Sequence, residues 1–68
     1  MISQELLTPG TIIRGAKSTS PKNDRRIVKW EDNWCTYRTR GIGEPFSAPE
    51  KTCWVTTIED WAGQIVSA

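Results

Sequence analysis

Hydrophobic and polar positions alternate most regularly across residues 25–40, RRIVKWEDNWCTYRTR, and the pattern predicts a β-hairpin whose two faces differ in chemistry. With Asp32-Asn33 as a two-residue turn, Trp30 sits opposite Cys35 and Val28 opposite Tyr37, which makes one face apolar. A side-chain period of two then puts Arg25, Ile27, Lys29, Thr36, Arg38 and Arg40 on the other face, which is mostly cationic. A three-residue loop over Glu31-Asp32-Asn33 with a bulge is the competing register. The alternation favours the tighter turn, because a slip of one residue sets Tyr37 and Cys35 against charges.

The flanks supply the remaining elements. Residues 3–8 can form one helical turn with Ser3 as its N-cap, ended by Pro9-Gly10. Residues 11–16, TIIRGA, read as a first strand, with Gly15 marking a bend or bulge near its end. KSTSPKND, residues 17–24, is a polar loop with nothing to bury, and GIGEPFSAPE, residues 41–50, is a second loop that Phe46 anchors to the body. Residues 51–56, KTCWVT, have strand character, with Cys53 and Val55 on one side and Trp54 on the other. Thr56 followed by Glu59 fits a capping box, and Ile58, Trp61, Ala62, Ile65 and Val66 fall at helical spacing. The expectation is an amphipathic helix over residues 58–67, with Glu59 and Asp60 in its first turn and Gly63 costing it about 1 kcal/mol.

This order predicts a mainly β chain of the β-rich α+β class. The expected form is a small SH3-like partial barrel, or a bent antiparallel sheet of about four strands, with a C-terminal α-helix and residues 1–68 as one domain. So short a domain buries only about 60% of its unfolded surface. Trp30, Trp34, Trp54, Trp61, Tyr37 and Phe46 therefore have to supply much of the buried area, with Trp30 and Trp61 assigned to the core. Completion of the core by self-association is allowed, so a homo-oligomer is an admissible partner state.

Charge is uneven along the chain: residues 1–43 carry +4 and residues 44–68 carry −3, although the net charge is only +1. There are two cysteines, Cys35 and Cys53, and no histidine. The N-terminus has neither a cationic segment nor an apolar run of signal-peptide type, and no stretch suits a membrane span, so a cytoplasmic location is expected. There the cysteines would be buried thiols, with a disulfide left open if their strands are neighbours. Two thiols without histidine do not make a zinc site within one chain.

No nucleotide-binding loop, metal cluster or catalytic pair stands out, so no cofactor, metal or catalytic residue is assigned. The candidate binding residues are Lys17, Lys22, Arg25, Lys29, Arg38 and Arg40 for charge, with Trp34 and Trp54 as exposed rings. Exposed tryptophan beside arginine is the residue mixture of interface hot spots, so the leading expectation is a non-enzymatic binding or regulatory module with a protein partner. Small accessory factors of this type include ones encoded by phages and plasmids. The alternative is nucleic-acid binding, in which the cations track phosphates and Trp34 stacks on a base. An oligomeric enzyme with a shared site is the third class. The layout is loosely similar to that of the plasmid-type dihydrofolate reductases, which build such a site by tetramerising. Cys53-Trp54-Val55-Thr56 stands where that family has its Val-Gln-Ile-Tyr pocket strand, so its activity is not carried over.

Overall fold

The computed structural model describes residues 1–16 and 23–67. A 3-10 turn, Gln4–Leu6, leads into β1, Ile12–Gly15. The strands β2, Asn23–Glu31, and β3, Trp34–Gly41, follow, and then β4, Lys51–Trp54. A seven-residue helix α1, Val55–Trp61, runs straight into β5, Ala62–Ser67. All pairings among the described residues are antiparallel, and the sheet order is β4-β3-β2-β1-β5. The expected β-rich α+β class holds, with five strands among the described residues rather than about four, and the helix links the two edge strands β4 and β5.

The Asp32-Asn33 turn forms as expected, with Asp32 at φ 54°, a left-handed conformation that aspartate tolerates well. Trp30 faces Cys35 and Lys29 faces Thr36. Beyond that the register shifts, because Val28 is an extra residue in β2 and Ile27, not Val28, stands opposite Tyr37. Bonding on the far side of β2 sets this bulge. The Ile27 amide donates to the Thr11 carbonyl at 2.9 Å, and the Gly10 amide donates to the Ile27 carbonyl at 2.8 Å. Arg25 and Ile27 are thereby moved from the expected cationic face to the core face.

The core consists of Leu7, Ile13, Ile27, Cys35, Tyr37, Ile58 and Ala62, flanked by Ile2, Trp30, Cys53 and Trp61. Trp30 is half-buried and its indole N–H donates to the Leu7 carbonyl at 2.7 Å, which fastens the N-terminal segment over one end of the sheet.

The expected helix over residues 58–67 is displaced. It begins at Val55 with Trp54 as N-cap and no side-chain capping bond, so Thr56 and Glu59 do not form a capping box and no acid lies in the first turn. Glu59 instead caps the other end of the chain: its Oε2 accepts from the Gln4 amide at 2.7 Å and its carbonyl accepts from the Ile2 amide at 3.1 Å. Ser3 stands at the N-cap of the 3-10 turn as expected, but its side chain makes no capping bond. The helix ends where Ala62 turns extended, and Gly63 with β-branched Ile65 and Val66 then favours a strand, which β1 completes by pairing. Ile65 and Val66 are exposed in β5 rather than buried on a helix. Gly63 is required by close approach: a Cβ there would lie 2.6 Å from the Ala16 Cα and 2.8 Å from its amide nitrogen.

Candidate functional site

Alternation along β3 separates the two faces. Cys35 and Tyr37 point to the core, and Trp34, Thr36, Arg38 and Arg40 occupy the outer side. On β4, Cys53 is the direct partner of Cys35, and Trp54 is the direct partner of Trp34. The two indoles meet edge to face with centroids 5.1 Å apart, and they remain 50% and 42% exposed. Both tryptophans expected at the surface are there, brought together by register.

The cations of the outer face are mostly engaged within the chain. Asp24, expected in a loop, lies in β2 and is fully buried. Its Oδ1 accepts from Arg14 Nε at 2.8 Å and its Oδ2 from Arg40 Nε at 3.1 Å, so one carboxylate joins β1, β2 and β3. Burial opposes the charged form of Asp24 more than any other single influence. The hydrogen bonds and positive charges of the two arginines together offset it and hold the carboxyl below its ordinary value. Arg26 and Arg38 are direct cross-strand neighbours of like charge. The loop of residues 42–50 compensates. Phe46, anchoring the loop as expected, lies 4.6 Å from the Arg26 guanidinium carbon and 4.4 Å from that of Arg40. Arg38 donates to the Ala48 carbonyl at 3.3 Å and pairs with Glu50 at 3.5 Å. Lys29 pairs with Glu31 at 2.9 Å, both well exposed, so water and salt screen the pair. Lys17 and Lys22 lie outside the described residues.

Arg25 is the main departure. The bulge turns it inward, where its guanidinium carbon lies 4.6 Å from the Tyr37 ring centroid and 4.0 Å from that of Trp61. Its Nε is buried without a hydrogen-bond partner. It lines a cleft of about 410 Å³ between the ends of β2 and β3, the loop of residues 42–50 and Trp61. Lys51, opposite Tyr37 at the start of β4, is on the same wall. Trp61, assigned to the core by sequence, is half-buried and serves as a ring beneath this arginine.

Sequence reasoning missed Asp24 and Lys51. Each carried a signal: Asp24 is the one acid within the basic run of residues 14–29, and Lys51 is the one cation within residues 44–68.

Cys35 and Cys53 are free thiols on neighbouring strands. Burial, followed by the adjacent Cys53, pushes the Cys35 thiol up to about 12; burial also raises that of Cys53, against the pull of the Arg25 charge. Both shifts disfavour the thiolate, which is the nucleophilic form. Among the described residues no group of three or more Cys, Asp or Glu can hold a metal ion, and no helix is long and apolar enough to cross a membrane. No family model, curated protein or solved structure matches the chain.

Proposed function

We propose that this chain is a small non-enzymatic binding module that engages a protein partner through the outer sheet face centred on Trp34 and Trp54. The observation that carries this reading is the indole pair itself. Two of four tryptophans lie side by side on adjacent strands and both remain exposed, in a domain that needs large side chains for its core. Aromatic pairs of this kind are rigid and amphipathic, and they act as anchors at interfaces. Thr52 and the Lys29–Glu31 pair supply a polar surround on neighbouring strand positions. As a regulator the module would act by covering a surface on something larger.

The nucleic-acid alternative draws on the same face but is less well supported. Arg14 and Arg40 are held by Asp24 and Arg38 by Glu50, which leaves fewer uncommitted charges for phosphates. The test uses a Trp34→Ala, Trp54→Ala double variant whose fold is verified by circular dichroism. A host protein captured by the wild type, then purified and titrated calorimetrically, should bind the variant about 30-fold more weakly, corresponding to about 2 kcal/mol. Unchanged affinity for the variant would refute this reading. Salt-sensitive binding of labelled single-stranded DNA or RNA, lost on Arg38→Glu, would favour the alternative.

A further inference from the structure

The cleft beside Arg25 is independent of the tryptophan pair. Lys51 and Trp54 are at opposite ends of β4, and their positions alternate to opposite faces of the sheet. Among the described residues, no carboxylate pairs with Arg25 or Lys51, whereas the other arginine on the wall, Arg40, is committed to Asp24. Two rings flank the Arg25 guanidinium, and its Nε is buried without a hydrogen-bond partner. A charge kept partly buried without a counter-ion is unfavourable, and an anion entering the cleft relieves it. Asn23, Thr39 and Ser47 bring polar groups to the same walls. The one acid there, Glu44, folds back against Gly41, where its Oε1 would be 2.7 Å from a Cβ added to that glycine.

From this arrangement we infer that the cleft is an oxyanion-binding site, with Arg25 as a pre-oriented fork and Lys51 as the second cation. Guanidinium recognises the planar edge of carboxylate or phosphate oxygens, and immobilising it beforehand removes part of the ordering cost of binding. A volume of about 410 Å³ falls within the range of small-molecule sites and exceeds what a bare anion fills. The ligand is therefore a small metabolite that presents a phosphate or carboxylate group to Arg25 and fills the remaining space with a polar body.

The test is a titration of the ¹⁵N-labelled full chain followed by NMR, with potassium chloride at matched ionic strength as the reference. Inorganic phosphate, adenosine 5′-monophosphate and citrate are the three probes. Saturable shifts are expected at the amides of Asn23, Arg25, Thr39 and Lys51 and at the Trp61 indole, with at least one probe binding in the millimolar range or tighter. Tighter binding of adenosine 5′-monophosphate identifies a phosphate ester as the ligand class, and tighter binding of citrate identifies a carboxylate. Lys51→Gln, a change at an exposed residue with no ion-pair partner among those described, should weaken binding at least tenfold. Arg25→Lys, which keeps the charge but removes the fork, should do the same; if that variant does not fold, Lys51→Gln alone decides. Shifts no larger than those with chloride, binding unchanged in Lys51→Gln, or a response confined to oligonucleotides would overturn the assignment. The Trp34→Ala, Trp54→Ala variant should bind these anions normally, so failure of the protein-partner reading and failure of the oxyanion site remain separable.

Discussion

Replacing Asp24 by Asn should destabilise this domain more than any other isosteric change on the outer face. The carboxylate is fully buried, and Arg14 and Arg40 are only 27% and 24% exposed; Arg14 donates to both of its oxygens, at 2.8 Å to Oδ1 and 3.4 Å to Oδ2, and Arg40 shares Oδ2 at 3.1 Å. Asparagine keeps the size but offers one carbonyl oxygen, and its amide group turns donor hydrogens toward the other arginine. Removing one partner of a buried ion pair costs about 3 to 5 kcal/mol. Partial exposure of both arginines lets water recover some of this, which brings the expected loss to about 2 to 3 kcal/mol. A domain of this length has roughly 3 to 10 kcal/mol of stability, so the change is a large fraction of the whole. Urea unfolding at pH 7 followed by tryptophan fluorescence should show a lower midpoint with an unchanged m-value, and Tm should fall by about 10 to 20 °C. The pH dependence has a definite sign. Because the folded pKa of Asp24 is depressed, its contribution is complete above the unfolded value, near 4, and is lost as pH falls through the lower folded value. The gap between wild type and variant should thus be flat at neutral pH and narrow in acid. A loss below about 1 kcal/mol at pH 7, or a gap that does not narrow, would refute the argument that this carboxylate ties three strands together.

Two further predictions concern other parts of the fold. Gly63→Ala places a Cβ against the Ala16 backbone, which cannot yield as a side-chain tip would, and should cost about 1 to 3 kcal/mol in urea unfolding; an unchanged midpoint would mean the two strands separate freely. With Ellman's reagent at pH 8, the native protein should release at most one thiol equivalent over minutes, from half-buried Cys53, and both on adding guanidinium chloride. Two fast equivalents in the native state would contradict the burial that holds the Cys35 thiol neutral.

The features legible in sequence are those determined by near neighbours. The Asp32-Asn33 turn sets the tip of the hairpin, and from it follow the pairing of Trp30 with Cys35 and the outward aim of Trp34. The inward aim of Arg25 was not legible, because the bulge at Val28 answers to backbone groups of Gly10 and Thr11 rather than to anything within the hairpin. Asp24 read as loop because an acid amid lysines and serines looks solvated, and its two arginines come from strands on either side. The terminal helix was misjudged for a different reason. Ile58, Trp61 and Ala62 are truly helical or helix-adjacent, but Ile65 and Val66 continue the spacing by coincidence and belong to a strand that exists only because β1 offers a partner.

The pairing of β5 with β1 has a kinetic side. Ile13 and Ile65 stand about fifty positions apart, whereas the β2–β3 hairpin closes over two residues, so loop-closure entropy favours closing the hairpin ahead of the β1–β5 seam. Bonds formed after the rate-limiting step influence how fast a chain opens, not how fast it assembles. Gly63→Ala should accordingly steepen the loss of native protein in stopped-flow unfolding while leaving the refolding limb nearly in place. On that order of events, the seam between β1 and β5 acts on the lifetime of the folded molecule rather than on its assembly.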